Sequence, residues 1–398
     1  MTSGVVVRSR MRAGVALGVS LLVAVAAFAV WQLAVPAYQR SQPVPAVSTS
    51  ETLSLPRQVY DPSPHAPSTQ VWGPPGPVGL AFQGRHARDG LAGEVAQPWY
   101  VVSARTGDYR RLEAPDLDQA QGGLAVSPRG TRIAWSWSGR IACYDTVTGE
   151  TRTYPVPQSV PADGPLVWSP DASRIAFGES PVRVLDTGSG DVTDLPLRVP
   201  TDAPTTPAWT ADGQWVTVVD GRGVDAVEVD SGRRRVLPAQ TGGLQGAQWN
   251  SAGAVAGLHA QATHRVLRVL RTGQPGSGGT RVVEESPPGI AIETFWGWVD
   301  RREVVLTGLR SATGPIEQAM ALSLPDNSVR TYMLFPTLGD NWRGLSTVSV
   351  AGALLQQPTR DFERPALPWS PVAKLLLCVL LSVFPTVYYL VARKPRRG

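Results

Sequence analysis

Cysteine and histidine are scarce in this chain, and their scarcity removes several kinds of chemistry at once. Two cysteines in 398 residues, Cys143 and Cys378, cannot make a disulfide framework. Cys143 falls in a predicted strand and Cys378 in a hydrophobic run, so the two are not expected to meet. Cys143 reads as a small buried hydrophobe rather than a reactive thiol. The four histidines are His65, His86, His259 and His264. His259 and His264 are five positions apart, on opposite faces of an extended strand, which does not suit a metal pair. No Cys/His cluster, Walker loop or G-x-S-x-G elbow occurs. The expectation is therefore a protein with no catalytic, metal-binding or cofactor-binding residues.

Charge of one sign is also missing where it would matter for nucleic acid. The formal charge is +5, but Arg8, Arg10 and Arg12 precede the first apolar run, and Arg393, Lys394, Arg396 and Arg397 follow the last. Without these seven of the 37 basic residues, 30 face 32 acidic ones, a balance of −2. Such a body offers no basic surface to a phosphate backbone, so no nucleic-acid partner is expected.

Long apolar runs are present, and there are two. Residues 13–35 are 23 in number, which as a helix gives ~34 Å, enough to cross a hydrocarbon core of ~30 Å. Ala27-Phe28-Ala29 has the form of a signal-peptide cleavage site, and cleavage would leave a single C-terminal anchor. The run continues past that site and exceeds the ~7–15 residues of a signal core, which favours an uncleaved anchor. Gly14 and Gly18 form a GxxxG, a match common by chance in an Ala/Gly/Val-rich span. The second run, 372–392, is prepared by Ser370 as N-cap and Pro371 at the first helical position, with Trp369 suited to an interface. Lys374, one turn in, can snorkel to headgroups, and Pro385 should kink the helix. Positive residues at 1–12 and 393–398 place both ends in the cytoplasm and everything between the spans outside it. Residues 36–75 form a Pro-rich stalk, part of a stretch with ten prolines between 36 and 77, and 358–371 form a linker.

Between the stalk and the linker, residues 76–357 repeat. The clearest unit is Trp168-Ser169-Pro170-Asp171-Ala172-Ser173-Arg174-Ile175-Ala176-Phe177, a strand end, a tight turn and a new strand. Related stretches start at Val126, Trp209 and Trp249, spaced 42, 41 and 40 residues apart. A looser copy holds Phe295-Trp296 before Asp300-Arg301-Arg302, and a sixth candidate is Leu80-Ala81-Phe82. A second turn follows in each unit, as in Asp145-Thr146-Val147-Thr148-Gly149 and Asp186-Thr187-Gly188. Four short strands in ~40–45 residues, repeated, describe a β-propeller blade.

Trp168 to Phe177 resembles the blade motif of TolB-like propellers and is similar to the first half of WD-type repeats. The resemblance covers roughly residues 76–357. No Gly-His precedes the blades and no Trp-Asp ends a third strand, which favours the TolB-like branch and removes the hydrogen-bond network of WD repeats. Trp168, Trp209, Trp249 and Trp296 are expected to fill space between blades, in preference to a quinone site of the kind other Trp-bearing propellers carry. Asp171, Asp186, Asp212 and Asp230 read as turn caps, and Arg233-Arg234-Arg235 as a solvated hairpin tip.

The fold expected is all-β, a six- to seven-bladed propeller flanked by an N-terminal and a C-terminal transmembrane helix. Seven blades are favoured, with residues 52–60 of the stalk completing the last. The resemblance implies a non-enzymatic platform in the cell envelope that binds a protein or peptide through its loops or channel. Two alternatives stand beside it: an extracytoplasmic enzyme acting on a small molecule or glycan in the channel, and an accessory subunit of a larger membrane complex.

Overall fold

The repeat folds around its turn, and the turn is closed by local bonds. Ser169 Oγ donates to Asp171 Oδ1 at 2.6 Å, and Asp171 in turn accepts the N–H and the hydroxyl of Ser173 at 3.1 and 2.8 Å. Ser169 Oγ also accepts the Arg174 N–H at 2.9 Å, so the next strand leaves in a fixed direction. The residue before the exit lies in the left-handed region: Gly130, Gly213 and Gly253 in three turns, and Ala172 at φ 60° in the fourth.

The computed structural model describes residues 3–41, 52–63, 65–84, 86–89, 93–120, 123–157, 165–178, 180–197, 199, 206–220, 222–238, 243–261, 264–272, 280–285, 290–310, 318–335, 348–364 and 370–392. Trp369, most of the expected loop at 273–280 and the basic tail 393–398 lie outside them.

Among the described residues are six four-stranded antiparallel sheets and one two-stranded hairpin, His86–Asp89 with Gly93–Ala96. Blade 1 joins Ser349–Val350 to Val78–Gln83, Trp99–Ser103 and Tyr109–Leu112. Blade 2 runs Ala125–Val126, Arg132–Trp137, Arg140–Asp145, Thr151–Pro155. Blade 3 runs Val167–Trp168, Arg174–Phe177, Val182–Asp186, Val192–Leu195. Blade 4 has Ala208–Trp209, Trp215–Asp220, Gly223–Glu228 and Arg234–Pro238. Blade 5 has Gln245–Trp249, Ala254–Ala260, Arg265–Thr272 and Thr280–Glu285. Blade 6 has Ile290–Trp298, Glu303–Arg310, Gln318–Ser323 and Val329–Leu334.

The ring therefore has six blades, not the seven favoured from the sequence. The far end of the chain supplies the missing strand of blade 1, with Leu80 opposite Val350 and Ala81 opposite Ser349. Residues 52–60 complete no blade. They run along outer edges instead: Val59 N–H donates to Leu334 C=O and Leu334 N–H to Arg57 C=O, each at 2.9 Å. Further on, Arg111 N–H donates to Pro67 C=O at 2.9 Å. Two of the outer edges that would be open to pairing are thus covered by the chain itself. Leu53, Leu55 and Val59 bury their side chains in the shared core of blades 6, 1 and 2. The outgoing segment lies beside the incoming one: Arg57 N–H donates to Arg360 C=O, Arg360 N–H to Leu55 C=O, and the Arg57 and Asp361 side chains pair at 2.8 Å.

The N-terminal helix α1 spans Ser3–Ala29, opens into a π turn at Val30–Ala34 and continues as α2, Val35–Ser41. The helix thus passes the expected end at residue 35 and includes Pro36. The wider turn immediately before relieves the clash a proline ring makes with the carbonyl four residues back. α2 packs on α3, Thr69–Trp72, which lies against blade 1 and is N-capped by Ser68. Within α1 and α2 the stretch Gly18–Tyr38 is long and apolar enough to be a membrane span or a signal sequence. The last helix, α4, spans Pro371–Ala392, and Ser370 Oγ caps it through the Ala373 N–H at 3.1 Å. Its apolar part, Val372–Tyr388, is the shorter of the two. α4 packs antiparallel to α1: Ser20 meets Thr386 hydroxyl to hydroxyl at 2.5 Å, while Lys374 sits 5.6 Å from the Trp31 ring.

Candidate functional site: the central channel

The first strands, two residues long in blades 1 to 4 and longer in blades 5 and 6, together surround a cavity of about 440 Å³. Val350, Val126, Trp168, Trp209, Trp249 and Trp298 contribute one residue per blade in ring order. Pro128, Pro170 and Ala211 from the turns form one mouth. No Asp, Glu, Lys, Arg or His lines the cavity among the described residues.

The tryptophans hold the wall together. Trp168 Nε1 donates to Ala125 C=O, Trp209 Nε1 to Val167 C=O and Trp298 Nε1 to Gln248 C=O, each at 2.9 Å and each reaching back one blade. Trp249 reaches the equivalent carbonyl through a relay: its Nε1 donates to Thr217 Oγ1 at 2.8 Å, and that hydroxyl donates to Ala208 C=O at 3.1 Å. In blade 2, where Val126 takes the tryptophan's place, the backbone N–H of Val126 donates to Ser349 Oγ at 3.0 Å. Every step from blade 1 to blade 6 thus carries at least one bond beside the cavity.

Trp168 and Trp209 are buried equivalents as the spacing implied, and Trp249 occupies the same position half-buried. In blade 6 the equivalent is Trp298, opposite Val304, and not Trp296. Two register shifts in that strand displace the count by two, and Trp296 instead packs edge-on to Phe335 at 5.9 Å. The turn was the better marker, since Asp300 accepts the Arg302 and Glu303 N–H groups just beyond Trp298. Leu80-Ala81-Phe82 belongs to a second strand, so the sixth copy was offset by one strand.

The acidic residues are occupied with backbone. Asp145 accepts from Val147 and Thr148, and Asp186 from Gly188 and Ser189. Burial alone would raise the Asp171 carboxyl, but the bonds from Ser169 and Ser173 together outweigh it and hold it below its ordinary range. Asp212 accepts from Thr210 and Gln214 in the same way, and Asp230 pairs with Arg174 of blade 3 at 2.8 Å. Burial pushes the Cys143 thiol up to about 12, against a smaller opposing effect of Arg132, so it stays protonated at neutral pH. His259 Nδ1 lies 3.2 Å from Gly243 C=O. Among the described residues, no group of three or more His, Cys, Asp or Glu side chains could hold a metal ion.

These features define a class, the six-bladed β-propeller of four-stranded antiparallel blades, here with a helix before it and a helix after it in the chain. No family model matches the chain, and no curated protein matches it in sequence. Solved propellers similar to it include the TolB proteins that the blade turns resemble. TolB from Acinetobacter baumannii has 15% identity and a TM-score of 0.47, over 71% of this chain and 69% of that one. A putative TolB from Agrobacterium tumefaciens has 13% identity and a TM-score of 0.42, over 67% of this chain and 97% of that one. Virginiamycin B lyase from Staphylococcus aureus has 13% identity and a TM-score of 0.43, over 65% of this chain and 86% of that one.

Proposed function

We propose that this protein is a membrane-anchored propeller that displays a non-enzymatic protein- or peptide-binding surface outside the cytoplasm, in the cell envelope. The observation that carries this reading is the wall of the channel: aromatic or proline residues from blades 2 to 6 and Val350 from blade 1, with no titratable side chain among the described lining residues. Acid–base or nucleophilic catalysis needs a positioned titratable group, whereas recognition of an uncharged segment needs shape and ring faces. Two spans with both termini in the cytoplasm are supported by the antiparallel packing of α1 on α4. Covered edges at blades 6 and 1 support a ring held from one side, leaving blades 3 and 4 farthest from the helices.

The test is a photoreactive amino acid at Ala211, exposed at the channel mouth, irradiated in intact membranes and compared with the same group at the exposed Ser138. A discrete protein adduct from position 211 alone, identified by mass spectrometry, is the expected result. Identical adducts from both positions, or none from either, would overturn the assignment of the channel as the contact.

A further inference from the structure

The outer edge of blade 4 stands apart from the rest of the ring. Residues Ser231 to Leu237 are all exposed, a run of seven. Outside the helical stretches 3–41 and 371–392, four large hydrophobics are exposed among the described residues: Val71, Leu334, Val236 and Leu237. The first two lie where the N-terminal segment crosses blades 1 and 6. The other two are on blade 4, three places round the ring from blade 1, where no such segment passes among the described residues.

Charge and aromatic surface accompany them. The Trp215 ring lies between Arg233 and Arg235, at 5.1 and 4.9 Å from the two guanidinium carbons. Arg234 is paired with Asp225 by two bonds, and Arg233 with Glu228 at 3.2 Å. Arg235 has no carboxylate within salt-bridge distance among the described residues, so its charge is held in place by a ring face and left uncompensated. Arginine and tryptophan are the residue types that most often dominate protein interfaces.

The backbone register completes the description. Glu228 N–H donates to Arg233 C=O at 2.9 Å, so by the alternation of an antiparallel ladder the N–H and C=O of Arg234 and Val236 point outward. Blades 1 and 6 satisfy such groups with parallel extended segments of the same chain, at Ser68 beside Arg111 and Gln58 beside Leu334. Blade 4 presents the same kind of edge with a positive charge beside it. We propose that the edge strand Arg234–Pro238 takes up an extended acidic segment of a partner protein as a fifth strand, with Arg235 reading a carboxylate and Val236 supplying the outward backbone pair. The arginine run is exposed at a hairpin, as expected from the sequence, and the proposal gives that edge an occupant. It rests on the reading of the ring as a protein-binding platform and gives the partner a chemistry.

The probe is a fluorescein-labelled peptide of about ten residues alternating Glu and Val, long enough to line the strand, with a Lys/Val peptide as its counterpart. Both are titrated by anisotropy against the full chain in nanodiscs. Val236→Pro removes the outward N–H and no ladder bond, a position where an edge strand tolerates proline. Arg235→Glu reverses the charge without touching the backbone. The expected result is binding of the acidic peptide at least ~10-fold tighter than the basic one, as like-charge placement is disfavoured, with a comparable loss in each variant at unchanged melting temperature. Equal binding of the two peptides, no binding, or binding indifferent to either variant overturns the proposal. If these fail while the photoreactive group at Ala211 still captures its protein, the edge is excluded and the platform stands.

Discussion

Replacing Gly130 by Ala tests whether the blade 1–blade 2 seam closes the ring. Gly130 has φ +72°, and a Cβ built there would lie 1.9 Å from Val78 C=O and under 3 Å from that residue's N and carbonyl carbon. Val78 N–H donates to Gly130 C=O at 2.8 Å, so the crowding falls on the bond that joins blade 1 to the first turn of blade 2. Gly232 is the control. Its φ is +68°, yet nothing lies within 4 Å of its would-be Cβ. Both variants meet the left-handed penalty of ~1–2 kcal/mol, partly offset by ~0.4–1 kcal/mol from a stiffer unfolded chain. Only Gly130→Ala also displaces Val78, at ~1–3 kcal/mol for overpacking and ~1–3 kcal/mol for a buried group losing its partner. The expected costs are ~1 kcal/mol for Gly232→Ala and ~3–7 kcal/mol for Gly130→Ala. At ~2 °C per kcal/mol for a domain of this size, the melting temperature should fall by ~2 °C in one and ~6–14 °C in the other. Scanning calorimetry at a single scan rate reads the difference. Variants melting within a degree of each other would refute the seam.

Four other outcomes follow from the same contacts. Trp168→Ala should cost ~3–5 kcal/mol as a large-to-small change in a packed site, while Trp168→Phe should cost ~1 kcal/mol through the bond to Ala125; equal melting of both variants and parent would remove the indole from the wall. Ala172→Gly should stabilise the ring by ~0.5 kcal/mol, since Ala172 occupies a left-handed position that its sibling turns give to glycine; chemical denaturation measures it. Cys143 should resist alkylation at neutral pH and react only on unfolding, because its thiol is buried and its pKa is pushed up to about 12; labelling of the folded chain would contradict this. Cysteines placed at Ser3 and Gly398 should be protected from an impermeant thiol reagent in intact cells while one at Ser277 reacts, and labelling of either end from outside would refute two spans.

The parts of the fold that were legible in the sequence are those stabilised within a few residues. Ser169, Asp171 and Ser173 bond to one another across a single turn, so their spacing alone announces the blade. The cap at Ser370 is visible for the same reason. The choice between six and seven blades was not legible, because six depends on Ser349–Val350 near the end of the repeats finding Leu80 and Ala81 from the other end of the chain. Residues 52–60 do have strand character, but only the tertiary fold decides that they cover edges rather than fill a blade. At the channel, Trp168 and Trp209 were found by counting, whereas Trp298 was hidden by two bulges that no composition signals. The blade 4 edge was visible as three arginines; the Trp215 ring between two of them needed coordinates.

The sharing of blade 1 between distant parts of the chain fixes the order in which the ring can be made. Strand Val78–Gln83 is synthesised first and its partner Ser349–Val350 roughly 270 residues later. At ~5–20 residues per second the interval is ~15–50 s. Throughout it, this second strand of blade 1 has one edge with no partner. Blades 2 to 5 can form one after another as they emerge, but the circle stays open until the last. A nascent chain of this protein therefore keeps that edge open to pairing with neighbouring chains until Ser349–Val350 emerges.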